Sequence, residues 1–241
     1  MRSVRFALAV VAIGLTAPSA AADGSTAPRV IEEGRYVLSY FGKTFGEETF
    51  TIEEREDGGY RIAASFTSRG ADQVSSESEY ILDAARRLVS ATYTPTDGGV
   101  SATYRVDGST ITAEASDGET QVVTLGPDDI VTGPHYVTDF FVLHPLDYRV
   151  EQEGTVTCHT FGFKDWKLTP CVVESERVKD RTARHPDDGK VTTTVYKCRI
   201  EAGEKVFSTR SYLNDDGVSL RIKIGVTIGE ATVTLKAPKD E

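Results

Sequence analysis

The chain has 241 residues, with 27 Lys and Arg against 37 Asp and Glu, giving a formal net charge of −10. That acidity argues against nucleic acid and against anionic membrane surfaces as partners, because both select basic patches. The length allows one all-β domain or two small ones, and it is enough chain to fold around its own core without staples.

Residues 1–22 read as a secretory signal peptide. Arg2 and Arg5 supply the positive start, Phe6–Leu15 is an apolar run, and Pro18–Ala22 carries the small residues of a cleavage site, placed after Ala22. The run is too short to cross a bilayer as a helix. No cysteine follows the site, so a lipid anchor is not expected, and the mature chain carries no predicted transmembrane span.

Residues 23–33 form a polar leader, and residues 34–241 read as a single β-rich domain. A first strand starts near Arg35, Gly42–Gly46 reads as a turn, and Phe50 and Ile52 then alternate against Thr49, Thr51 and Glu53. Asp57-Gly58-Gly59 is a strong hairpin signal. The next strand is the cleanest: Tyr60, Ile62, Ala64 and Phe66 on one face, Arg61, Ala63, Ser65 and Thr67 on the other. Strands over 73–82, 88–94, 100–106, 110–115 and 120–125 follow, several joined by Asp-Gly turns. A strand about every ten residues suggests a sandwich, barrel or open half-barrel. Outward Thr, Ser and Glu suit a sheet wetted on one side.

Residues 131–146 break this pattern. Val137, Phe140, Phe141 and His144 share one helical face, Thr132 offers an N-cap, Pro134 suits the first turn and Pro145 stops the helix. About three turns would not hold in water alone, so this helix must dock its Phe-rich face on the sheet. More strands follow over 155–163, 168–178, 191–200, 205–213, 218–226 and 227–235. Apolar residues keep one parity from Val218 to Ile228, which reads as a long strand or one bent at Gly225 or Gly229. The expected fold is all-β, or β-rich α+β: a curved antiparallel sheet or half-barrel of about twelve strands with one short covering helix.

Three cysteines follow the leader. If residues 163–166 form a hairpin loop, Cys158 lies directly across from Cys171, and a disulfide is predicted there. Pro170 and the poor turn dipeptide Lys164-Asp165 leave other pairings and free thiols open. Cys198, in phase with Tyr196 and Ile200, reads as a buried apolar filler.

The usual signatures of chemistry are missing. His135, His144, His159 and His185 have no metal-ligand spacing, and no G-x-S-x-G elbow or phosphate-binding glycine loop occurs. Glu47-Glu48, Glu53-Glu54 and Asp128-Asp129 read as solvated faces or turns. No catalytic residue, metal or cofactor is predicted. What remains is apolar surface. Tyr36, Phe50, Tyr60, Phe66, Tyr80, Tyr93 and Tyr104 recur about once per strand, and in-phase Ala64, Ala91, Ala102 and Ala113 leave space beside them. The bland reading is an ordinary sheet core. The functional one is a cavity lined by Tyr60, Phe66, Tyr80, Tyr93 and Tyr104 and closed by Val137, Phe140 and Phe141.

The strand at Tyr36–Tyr40, the G-x-x-x-G of Gly42–Gly46, the strand Glu48–Ile52, the tyrosine-rich meander and the proline-bounded helix together resemble a group of exported Gram-negative proteins of unknown function. Their architecture is similar to the half-barrels of the LolA and LolB lipoprotein carriers, in which helices cover an apolar concave sheet that holds acyl chains. The resemblance spans about residues 34–236, although this chain has one clear helix and no lipobox cysteine. The aromatic, small-residue concave face with its helix lid gives the functional expectation, a soluble periplasmic binding or carrier protein for a lipid or other apolar small molecule; an envelope protein is the partner expected under the first alternative below. Two alternatives stand beside it: a cell-envelope structural or interaction module acting through edge strands, and a hydrolase with a non-sequential site.

Overall fold

The computed structural model describes residues 28–69, 73–143, 154–162, 165–178, 180–226 and 229–238. An antiparallel meander runs through β1 (Arg29–Tyr40), β2 (Lys43–Glu54), β3 (Tyr60–Ser68), β4 (Ser75–Leu82), β5 (Leu88–Pro95), β6 (Ala102–Asp107), β7 (Thr110–Ala115) and β8 (Thr120–Thr124). β9 (Ile130–Thr132) leads to the helix α1 (Tyr136–Leu143). The chain returns through β10 (Gly154–Gly162), β11 (Asp165–Arg177), β12 (Arg181–His185), β13 (Gly189–Ala202), β14 (Lys205–Leu213), β15 (Ser219–Val226) and β16 (Gly229–Lys236). β16 pairs with β1, setting Leu235 opposite Tyr36 and Val233 opposite Leu38. One curved, unclosed sheet results, in the order β8 to β1, then β16 to β13, β11, β10 and β9, with β12 pairing β13 outside this path.

Period-two alternation decides which face is which. Tyr36 and Leu38 of β1, Phe50 and Ile52 of β2, Ile62 and Phe66 of β3, and Ile222 and Val233 of β15 and β16 are all buried on the inner face. One cross-strand row shows how large rings fit there: Tyr80, Ala91, Tyr104 and Ala113 stand side by side on β4 to β7. Each ring lies beside an alanine, which has no bulk to compete for the same volume. The alanines therefore make room for the tyrosines rather than leaving an empty curve, and Tyr80, Tyr93 and Tyr104 are at most 2% exposed.

Gln121 of β8 continues that row and reaches across from this end of the sheet to β11. Its Nε2 donates to the Leu168 carbonyl at 3.1 Å, and the Leu168 N–H donates to its Oε1 at 2.7 Å. A side-chain amide thus satisfies one backbone residue of β11 as a neighbouring strand would. Beside it the Tyr104 hydroxyl donates to the Trp166 carbonyl at 2.6 Å. Cys158 and Cys171 face each other on β10 and β11 and form the disulfide, with Cα atoms 4.8 Å apart. Cys198 is buried outside that bond.

Several boundaries differ from the sequence reading. Sixteen strands are present among the described residues rather than about twelve. Two of them match no segment read from the sequence: β9, only three residues long, and β12, whose sequence RTARH has no apolar alternation to betray it. β9 pairs with β10 in parallel. β1 starts at Arg29, so the end of the leader belongs to the sheet. The first turn is the tight Phe41-Gly42 pair, both at positive φ (47° and 73°), with Phe45 left over as a bulge. The run from Val218 onward is a hairpin, with Val226 opposite Gly229. α1 has eight residues, shorter than expected, and Thr132 ends β9 instead of capping it. His144, Pro145 and the signal segment 1–22 lie outside the described residues. No helix among the described residues is long and apolar enough to cross a membrane.

Substituting Gln121→Ala leaves the Leu168 N–H and carbonyl without their seam partner. The free energy of unfolding in urea should fall by about 1–3 kcal/mol. A change within about 0.5 kcal/mol, the range of an ordinary surface substitution, would show that the seam does not depend on this amide.

Candidate functional site: the interior beneath the helix

The site is organised by Glu48. It lies in phase with Phe50 and Ile52 on β2, so its side chain enters the interior, where it is fully buried. A buried carboxylate is costly unless hydrogen-bond donors satisfy its oxygens. The start of α1 supplies them: the Tyr136 N–H donates to Oε2 and the Val137 N–H to Oε1, both at 2.9 Å. These N–H groups have no partner within the helix and sit at its positive end. Glu48 therefore does from another strand what an N-cap side chain does locally.

His135, also fully buried, completes the arrangement. Its Nδ1 lies 3.4 Å from Glu48 Oε2 and its Nε2 3.1 Å from the Ser78 hydroxyl, while its carbonyl accepts the Thr138 hydroxyl at 2.7 Å. Gly133 carries the chain past Tyr80 so closely that a Cβ there would overlap the ring, which requires glycine. Tyr36, on the strand beside Glu48, has its phenol pushed well above the ordinary range by burial and then by the Glu48 charge, so it stays protonated. Ser76, Ser211 and Ser219 add buried hydroxyls that have no hydrogen-bond partner among the described residues.

The helix is held differently at its other end. Phe141 is buried and meets the Tyr60 ring edge-on at 5.2 Å. The Arg86 guanidinium stands 3.9 Å from the Phe141 ring centre and 5.1 Å from that of Tyr60, and Nη1 donates to the Phe141 carbonyl at 3.4 Å. A cation over rings and beside a helix C-terminus is favourable on both counts. Arg86 occupies the left-handed region (φ 60°), and burial lowers its pKa from the ordinary value.

Of the residues expected to line a cavity, Phe66, Tyr80, Tyr93, Tyr104, Val137 and Phe141 are buried on the interior side and Tyr60 is partly exposed. The side chain of Phe140 lies outside the described residues. Sequence reasoning missed Glu48, His135, Ser78 and Arg86. It read Glu47-Glu48 as a solvated pair, but the two split across the sheet: Glu47 pairs with Arg35 and Arg69 at 3.4 and 3.1 Å on the outside. The signal was available, since Glu48 shares parity with Phe50 and Ile52.

A crevice of about 320 Å³ opens near β9, with Leu88, Val106, Leu125, Ile130 and Val131 as its apolar wall and Arg87 and Asp129 also lining it. Leu88, Ile130 and Val131 also belong to the core, so the crevice reaches the strand that leads to α1. Hydrogen bonds from Thr157 and from the Gly126 N–H hold the Asp129 carboxyl below the usual range. His159 Nδ1 lies 3.9 Å from the same carboxylate. There the carboxylate stands between hydroxyl and imidazole, whereas a nucleophilic triad needs the imidazole in the middle. A larger groove of about 690 Å³ lies on the wetted face over Thr49, Thr51, Ala63 and Ser65. Among the described residues no three His, Cys, Asp or Glu side chains converge as a metal site would require.

No protein-family model matches the chain, and no curated protein matches its sequence. Solved structures do share the fold. A β-barrel-like protein of the domain of unknown function DUF1849 from Brucella abortus superposes with a TM-score of 0.60 at 11% identity, over 87% of this chain and 96% of that one. A DUF1089 family protein from Pseudomonas aeruginosa gives a TM-score of 0.51 at 13% identity, over 75% of this chain and 90% of that one. The fold is therefore β-barrel-like, shared with families of unknown function.

Replacing Glu48 by Leu leaves two helix N–H groups buried without their acceptor. Unfolding free energy should fall by about 2–4 kcal/mol, with Glu48→Gln intermediate because one amide oxygen remains to accept. Urea titration of both variants checks this, and a wild-type midpoint for Glu48→Leu would contradict the capping role.

Proposed function

We propose that this is a periplasmic binding or carrier protein for a lipid or other apolar ligand, taken up where α1 now lies. The observation that carries this reading is α1 itself. An eight-residue helix has no stability of its own, yet it puts Val137 and Phe141 into the core of the curved sheet. It is tied there by Glu48 at one end and Arg86 at the other. An element with so little independent stability is the part of a fold that gives way first. Its departure would uncover Tyr60 and Tyr80, which pack against Phe141 and His135, as an apolar wall, and a crevice beside β9 opens next to the strand that leads to α1. The likeness to LolA and LolB half-barrels belongs to this reading.

Two features support export: the signal-like segment 1–22, and a disulfide of the kind that forms in oxidising compartments. The alternative of an interaction module working through edge strands has less behind it, because the outer strand β8 is already engaged by β11 through Gln121. The test is solvent extraction of the protein purified from its native compartment, followed by mass spectrometry. An apolar species at near-stoichiometric amount is expected. Repeatedly empty spectra from protein that also takes up no added amphiphile would overturn the reading.

A further inference from the structure

The chemistry of Glu48 says which ligand the interior would accept. Three consecutive residues supply the contacts the structure places on this carboxylate: His135 Nδ1 and the Tyr136 and Val137 N–H groups. All three leave together if α1 withdraws. A carboxylate with no exposure to water is costly to leave without donors once these are gone. What replaces the helix must therefore bring donors of its own.

The neighbourhood favours the same kind of head group. Ser76 lies in the same cross-strand row as Glu48, two strands away, fully buried and with no hydrogen-bond partner among the described residues, so a hydroxyl is on hand for a polar head group. Tyr36, held protonated, stands directly across from Glu48 on β1. Arg86, the guanidinium at the interior, sits at the far end of α1, where Asp216 adds an opposing charge.

We infer that Glu48 is the head-group site of the interior, and that it selects amphiphiles whose head donates hydrogen bonds and carries no negative charge, a protonated amine above all. The ammonium takes the place of the helix N-terminus, as one positive end for another, and the acyl or alkyl tail takes the place of Val137 and Phe141. Carboxylate and phosphate heads are repelled by the buried charge. This inference rests on the carrier reading.

Calorimetric titration of the full chain with dodecylammonium, monododecanoylglycerol and dodecanoate, each below its micelle-forming concentration, tests it at neutral pH. Dodecylammonium should bind about tenfold or more tightly than dodecanoate, with the neutral glyceride between them. In Glu48→Gln that preference should collapse, and if this variant does not fold, the order measured on the wild type decides alone. Dodecanoate binding as tightly as dodecylammonium overturns the head-group assignment and leaves the carrier reading standing. No binding of any of the three overturns both.

Discussion

A buried anion and the start of a short helix each answer a deficit in the other. Glu48 enters the interior because its place in the alternation of β2 leaves it nowhere else to point, and a lone carboxylate there would be costly. α1 begins with N–H groups that have no partner of their own. Two hydrogen bonds of 2.9 Å settle both needs and fix how deep the helix lies in the curve of the sheet. From that depth follow the burial of Val137, the contact of Phe141 with Tyr60 and the engagement of Arg86.

The sheet must stay curled for this to work, and separate devices keep it so. Tyrosine and alanine alternate across β4 to β7, so the inner face is dense without crowding. Gln121 and the Tyr104 hydroxyl hold β8 and β6 toward β11 without any strand pairing between them. The Cys158–Cys171 bond ties β10 to β11 near the opposite edge of the sheet. A seam made of side chains, unlike a closed ladder, has few bonds to break, which suits the proposed carrier role.

Much of this was legible in the sequence because the β period of two is unambiguous where it is clean. Tyr60, Ile62, Ala64 and Phe66 could only be one face, and the parity of Cys158 and Cys171 about a short loop matched the register found. The illegible parts share one cause: they depend on partners distant in the chain. β9 has three residues and is defined by β10, and β12 is polar and is defined by β13. Thr132 looked like a cap because a cap is normally local, whereas the acceptor used lies on β2. Glu48 was overlooked because two adjacent acids look solvated, although neighbours on a strand face opposite ways. The small inner residues suggested emptiness, but a row of alanines means nothing until the register shows which rings stand beside them.

The fold is shared with families of unknown function, so the case for a carrier rests on what this interior can hold and release. In the proposed carrier, ligand and helix compete for one place. Amide hydrogen exchange at Tyr136 and Val137, followed by NMR with and without saturating monododecanoylglycerol, reports on that competition directly. Both amides should be strongly protected in the ligand-free protein and lose protection together when the ligand is bound. Protection that stays unchanged at full occupancy would mean that α1 never yields, and that the helix is a permanent part of the core.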